Sequence, residues 1–408
     1  MIYSLIENTL PMSNRTYTFQ LLLACLLAVS LTACDQSSQK IDFEDGSNLS
    51  VLGPDTLIVP NYDSTVADEY MIRAFSAEKS YTWSVSGVLS NDGERRDGEV
   101  LQVSTSTPGD FVISASTTID GQDYSGTVDG GARYPTALEQ ASKYNLNVFS
   151  SLVQGVNLLS QLRSGLTAFG PEDAAFVGAL DENGNGSIDA AEQPAPGVLA
   201  KLLTYHAAVD SLTTTEISNG QTVATGLSGE FGGSQWSVPV SFAVGGGTVT
   251  VNGIESSANV IASDIATDEG IVLHKVDGVL LPSSLVSIND QDVNRDTVAN
   301  VDAVTVSGTF VHDGGFIALH EGSASGNIIG SSGYLDGAGV SGENGFHNDI
   351  EIELNSQLSD TTTVVAMPHR DSDGNQTFTF NPTLGIDGPY TRGSTSVPVI
   401  DSASVATP

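Results

Sequence analysis

The stretch Gly165-Leu166-Thr167-Ala168-Phe169-Gly170-Pro171-Glu172-Asp173-Ala174-Ala175-Phe176 decides how this chain is read. Leu166 to Phe169 is a short apolar run bounded by glycines, the composition of a buried strand. Gly170 breaks it, and a helix is expected to follow, with Pro171 in its first turn and Glu172 and Asp173 at its positive end. Upstream, residues 136–163 read as helices, because Val148, Leu152, Val156 and Leu159 fall on one stripe at helical spacing.

Further out, Leu199-Ala200-Lys201-Leu202-Leu203-Thr204-Tyr205-His206 reads as another helix, and Thr248-Val249-Thr250-Val251-Asn252-Gly253 as a strand entering a hairpin. Asp264-Ile265-Ala266-Thr267 then leads to Gly270, His274, Asp277 and Gly278-Val279-Leu280-Leu281-Pro282. Taken in order, these segments resemble the motifs of fasciclin domains, whose first motif usually runs Thr-x-Phe-Ala-Pro-Thr-Asp-x-Ala-Phe. The resemblance implies an α+β domain over residues 134–284, a β-sandwich or wedge flanked by helices, used in adhesion and matrix contact. It also makes Tyr205 and His206, the family's Tyr-His pair, candidates for partner contact; the competing reading is a packed tyrosine and a hydrogen-bonded core imidazole. One extra residue separates Gly270 from His274, so a bulge is expected there.

Between the two helical segments lies Asp181-Glu182-Asn183-Gly184-Asn185-Gly186-Ser187-Ile188-Asp189-Ala190-Ala191-Glu192. Aligned with an EF-hand loop, Asp181, Asn183, Asn185 and Asp189 supply side-chain oxygens and Gly186 the sharp turn. Ser187 lends its carbonyl, and Glu192 is the bidentate ligand. Calcium is the cofactor this donor set suits. Only Asp181, Asp189 and Glu192 are charged in the donor set, and Pro194 and Pro196 cut off an exiting helix, so affinity should be on the order of 10⁻⁴ M. A weaker second candidate is Asp371, Asp373 and Asn375, where Gly374 takes position 4 and Pro382 position 12.

The flanks read as β-structure. Residues 49–131 alternate: Tyr81, Trp83 and Val85 share one face, and Phe111-Val112-Ile113-Ser114-Ala115 repeats the period of two. This resembles the immunoglobulin-like or PKD-like sandwiches of bacterial surface proteins and reads as a spacer. Residues 286–408 alternate in Val301-Asp302-Ala303-Val304-Thr305-Val306 and Ile350-Glu351-Ile352-Glu353-Leu354, so an antiparallel sandwich is expected. Gly314 to His320, Gly330 to Leu335, Val364 to Asp371 and Asp387 to Tyr390 are similar to an uncharacterised β-domain common in surface proteins of salt-loving microbes. His320, His347 and His369 would offer imidazoles to a transition metal if folding brought them together. The fold class expected is therefore mainly β and multidomain.

At the N-terminus, Arg15 precedes the apolar run Leu21 to Leu31, which is too short for a permanent bilayer span. It ends in Leu31-Thr32-Ala33-Cys34, which resembles the lipobox of bacterial lipoproteins. The reading is a signal peptide over 1–33, a lipid on Cys34 that anchors the chain in a membrane, and a polar tether over 34–48. Cys25 would leave with the signal, so the mature chain has no thiol free for a disulfide or zinc. The location expected is the cell envelope, either periplasmic or cell-surface.

Charge narrows the partners. With 49 acidic and 14 basic residues the net charge is −35, which repels nucleic acid and suits high-salt surroundings or divalent cations. No Gly-x-Ser-x-Gly elbow, phosphate loop or dinucleotide fingerprint occurs. The leading expectation is a non-catalytic, calcium-stabilised adhesion protein whose partner is a protein or polysaccharide of the envelope or matrix. The alternative is a periplasmic or surface hydrolase using clustered carboxylates.

Overall fold

The computed structural model describes residues 49–73, 79–161, 163–296, 301–338, 343–393 and 395–407. The signal segment, Cys34 and the tether lie outside the described residues. What is described is mainly β, in three successive units.

The first unit contains β1 (Ser50–Leu52), β2 (Thr56–Ile58), β3 (Val66–Arg73), β4 (Thr82–Gly87), β5 (Ser90–Arg95), β6 (Val100–Thr105), β7 (Gly109–Ile119) and β8 (Gln122–Arg133). They form two four-stranded sheets, ordered β1-β3-β6-β5 and β2-β8-β7-β4. The period of two sends Phe111, Ile113 and Ala115 into the interior with Trp83, while Val112 faces out. Trp83 meets the demand of its buried indole N–H by donating to the Gly98 carbonyl at 2.9 Å.

The second unit opens with helix α1 (Ala137–Lys143), whose Thr136 and Glu139 form a capping box. The helix breaks at Asn145, in the left-handed region with φ 57°, and α2 (Asn147–Gly155) follows. Strand β9 (Thr167–Pro171), α3 (Asp173–Leu180), α4 (Pro196–Tyr205) and β10 (Ala207–Ala208) come next. The remaining strands are β11 (Thr222–Phe231), β12 (Ser234–Gly245), β13 (Thr248–Asn252), β14 (Ser257–Ala266) and β15 (Val272–Val276).

These strands join in a closed order, β10-β11-β12-β13-β14-β15-β9, so the sandwich or wedge expected is a barrel without free edges. Register shifts between Ala224 and Ser228 on β11, and between Val260, Ala262 and Ile265 on β14, supply the bending that closure needs. The bulge expected between Gly270 and His274 is thus on the facing strand, where Asp264 adopts φ 55°. Pro171 also sits differently from the expectation. It is the last residue of β9, paired with Val276, and the helix starts after it. The sheet loses no bond there, because the next amide, that of Glu172, donates to the Val276 carbonyl at 2.9 Å.

The third unit holds β16 (Ser284–Ser287), β17 (Gln291–Asp292), β18 (Asn294–Asp296), β19 (Val301–Val311), β20 (Gly315–Glu321), β21 (Ile328–Ser331), β22 (Phe346–Glu353), β23 (Thr362–Arg370) and β24 (Asp401–Ala406). A β16-β19-β18 sheet with β22 also on β19 packs against a β17-β24-β23-β20-β21 sheet. Pairing is antiparallel except between β17 and β24. Leu285 and Phe310 of this unit belong to the same buried cluster as Phe169, Phe176 and Tyr205 of the barrel, so one core runs through the junction.

Candidate functional site

The loop that leaves α3 is built from its own polar side chains. Asp181 Oδ1 accepts the amides of Gly184 and Asn185 at 2.8 and 3.1 Å, and Oδ2 accepts that of Gly186 at 2.7 Å. Asn185 Oδ1 accepts from the Ser187 amide and hydroxyl at 2.8 and 2.7 Å. Glu192 folds back across the ring: Oε1 takes the Asn183 amide at 3.0 Å and Oε2 the Asp189 amide at 2.8 Å. The side-chain amides of Asn183 and Asn185 both donate to Asp189 Oδ2, at 3.1 and 2.9 Å. Gly184 and Gly186, with φ 71° and 82°, permit the tight turn. The six residues singled out in sequence are therefore drawn into one ring, with Ile188 packed inward against the barrel core.

The second loop repeats this bonding. Asp371 accepts the amides of Asn375 and Gln376 at 3.2 and 2.9 Å, as Asp181 accepts those of Asn185 and Gly186. Asn375 Oδ1 accepts from the Thr377 amide at 2.7 Å, matching Asn185 and Ser187. Gln376 takes φ 55° where the first loop uses glycine. Folding adds an acid that the linear pattern does not reveal: carboxylate oxygens of Asp371, Asp373 and Asp387 lie within 4.8 Å of one another. Asp387 is buried and held by the Thr379 amide at 2.6 Å. Its place 16 residues beyond Asp371 puts it outside any loop motif; the only signal was the Asp387-Gly388-Pro389-Tyr390 turn.

Tyr205 and His206 do not face a partner. Both are 0% exposed, because α4 ends inside the barrel mouth. His206 Nδ1 bonds the Leu202 carbonyl at 2.9 Å, and Nε2 accepts the Leu280 amide at 2.9 Å. Burial lowers the imidazole pKa to about 4, only partly opposed by the Leu202 carbonyl. The Tyr205 hydroxyl donates to the Pro239 carbonyl at 3.3 Å and accepts the Ile254 amide at 3.0 Å. His274 is likewise enclosed, stacked on Phe169 at 5.7 Å, with Nε2 bonded to the Leu212 carbonyl at 2.8 Å. The pair and its companion lock barrel to helix, as the core reading required.

A fasciclin-domain family model matches residues 144–282. Residues 144–282 are a fasciclin domain. The segment that follows, residues 285–406, matches a domain of unknown function, DUF7282. Cell surface glycoproteins 2 and 1 of Haloarcula hispanica are 41% and 40% identical to this chain over 123 residues. That stretch is 30% of this chain and 11% of each relative, so the chain spans about a tenth of the curated relatives it matches. Among solved structures, a FAS1 domain pair from the insect cell adhesion molecule Fasciclin I aligns with TM-score 0.28 and 13% identity, covering 53% of this chain and 71% of that one. A tetra-tandem repeat from the extending region of a large adhesion protein aligns at TM-score 0.18 and 12% identity, over 89% and 74% of the two chains.

The first loop thus lies inside the segment that the fasciclin model matches, between α3 and α4, and the second lies in the DUF7282 segment. Of the four histidines of that segment, the three named as possible metal ligands form no metal-ligand group among the described residues. His320 and His369 stack at 5.8 Å, while His347 bonds the Asp336 carbonyl at 2.7 Å elsewhere on the sandwich. The residues just after this loop are tied to the DUF7282 segment: Asn348 Oδ1 accepts the Ala195 amide at 2.8 Å, and its amide donates to the Gln193 carbonyl at 2.9 Å.

Proposed function

We propose that this chain works outside the cytoplasm as an envelope-bound adhesion or binding protein, stiffened by calcium and anchored by a lipid on Cys34. The fasciclin domain at 144–282 is the observation that carries the reading. The naming of its Haloarcula hispanica relatives as cell surface glycoproteins supports a surface location. Its partner would be a protein or polysaccharide of the envelope or matrix. The net charge of −35 argues against nucleic acid, and it favours surroundings rich in cations.

The calcium part rests on donor chemistry. Asp181, Asn183, Asn185, Asp189 and Glu192 offer side-chain oxygens and Ser187 a carbonyl, all on one loop, which suits a hard cation that prefers oxygen. Asp371, Asp373 and Asn375, with Asp387 added by the fold, form the second set, whose three carboxylates lie within 4.8 Å of one another. A cation at the first loop would brace the joint to the DUF7282 segment through Gln193, Ala195 and Asn348. Calcium should therefore raise the melting temperature, and Glu192→Ala should remove most of the rise. An identical melting curve in calcium and in chelator for the wild-type protein would sink this part.

The adhesion part is tested by capture from envelope extract with immobilised full-length protein, with calcium and with chelator. A saturable, calcium-strengthened partner supports it; absence of any retained envelope component under both conditions rejects it. Lipid on Cys34 is read directly by mass spectrometry of the membrane fraction, where an unmodified cysteine at that position overturns the anchor.

A further inference from the structure

A cavity of about 470 Å³ opens beside the barrel, inside the size range of small-molecule sites, roughly 300–1,000 Å³. Its walls come from several elements: Leu138 of α1, Phe149 of α2, Leu159 in the turn after α2, Leu203 of α4, Val209 after β10 and Leu273 of β15. Leu138 and Val209 are 37% and 42% exposed, an apolar rim rather than a closed seam.

Charge around this cavity is unlike that of the rest of the molecule. The chain has 49 acidic residues, yet no aspartate or glutamate is among the described lining residues. Arg163 is the one formally charged side chain there, and no carboxylate among the described residues pairs with it. Six other described Arg or Lys side chains do pair with acids. The imidazole of His206 has both nitrogens committed to the backbone, so the lining offers no general acid or base there. An apolar hollow with a single unneutralised cation at its edge complements an apolar chain with one negative head.

We infer that this cavity binds a free long-chain carboxylate, its chain among Leu138, Phe149, Leu203 and Leu273 and its carboxylate on Arg163. An acidic surface repels such a ligand over most of the molecule, and a lining with no acid among its described residues favours this site.

The test is fluorescence titration of the full-length protein with 11-(dansylamino)undecanoic acid, displaced by dodecanoate or by dodecan-1-ol. It is run near 0.15 M salt, where the Debye length of ~8 Å leaves a short-range ion pair largely intact. Saturable binding is expected, with dodecanoate displacing the probe better than dodecanol. Arg163→Gln should weaken dodecanoate at least fivefold and leave dodecanol within twofold. Val209→Glu, a rim change at an exposed position, should weaken dodecanoate more than dodecanol. Both variants are at exposed sites, and unchanged melting curves would verify their folding. Failure of the probe to saturate overturns the proposal, as does equal displacement by acid and alcohol or an Arg163→Gln protein that binds dodecanoate as the wild type does.

Discussion

His206 and His369 are both enclosed, and burial holds each near pKa 4, His369 with a smaller push from neighbouring His320. An unfolded histidine titrates near 6.5. Above that pH neither state is protonated and the two residues cost nothing. Between pH 6.5 and 4 the unfolded chain takes up protons that the native chain refuses, so stability falls as pH falls, by up to roughly 3 kcal/mol for each histidine. Below pH 4 both states are protonated and the slope flattens. Denaturant titrations at pH 7 and 4.5 should show this loss. His369 Nε2 has no hydrogen-bond partner among the described residues, but Nδ1 bonds the Asp387 carbonyl at 2.6 Å, so His369→Phe should flatten the acid slope while costing about 1–3 kcal/mol at pH 7. A variant as acid-labile as the wild type would remove His369 from the explanation. Gln140 makes a second residue-scale case. It is buried at the joint between the first unit and the barrel, and its side-chain amide donates to the carbonyls of Pro60 and Ala266 at 3.2 and 2.8 Å. Gln140→Ala strands both acceptors and should cost about 1–3 kcal/mol in urea unfolding.

At the scale of elements, α2 and α4 illustrate how neighbours supply what a helix lacks. Leu146 caps α2 with no side-chain bond, and Asp173, at the start of α3, does the work instead. Its carboxylate accepts the Val148 amide at 2.8 Å and the Asn147 side-chain amide at 3.0 Å. Asp173→Ala should therefore destabilise by about 1 kcal/mol, the usual cost of a lost N-cap, even though the residue belongs to another helix. Helix α4 meets β16 at Gly197, where an added Cβ would lie 2.0 Å from Ser287 Oγ and 2.8 Å from Ser287 Cβ. Gly197→Ala should lower stability by about 1–3 kcal/mol through this overlap, with partial recovery when Ser287→Gly is added. If the single change is neutral by thermal melting, the approach of helix and strand is looser than the distances imply.

Across the whole molecule, the fasciclin domain and the DUF7282 segment share buried surface and polar ties. Lys201 of α4 reaches the Val286 carbonyl at 2.6 Å and Asp401 at 3.0 Å. Arg392 lies 3.4 Å over the Trp236 ring while donating to the carbonyls of Pro398 and Ile400 at 3.1 and 3.3 Å. Burial lowers both cations' pKa values, that of Arg392 to about 10, so each is desolvated and depends on these partners. With Leu285 and Phe310 in the barrel's own cluster, calorimetry should show one cooperative transition for residues 134–407. Arg392→Ala should lower that transition or split it. Two well-separated transitions in the wild-type protein would show that the joint is weaker than its contacts.

The linear order of residues determined what local chemistry can determine. Alternation placed Phe111, Ile113 and Trp83 inside, and the turn-rich spacing of Asp181 to Glu192 set a loop that closes on its own hydrogen bonds within twelve residues. The ordered motifs from Gly165 to Pro282 marked the fasciclin domain for the same reason, since each is a short strand, turn or helix end. Only the tertiary structure decided the rest. Closure of the barrel depends on bulges at Ala224 and Val260 that obey pairing across strands, not composition along them. Tyr205 and His206 went inward because α4 ends in the barrel mouth, and Asp387 joined Asp371 and Asp373 across 16 residues. Both are long-range packing outcomes, and spacing along a chain does not fix distance in space.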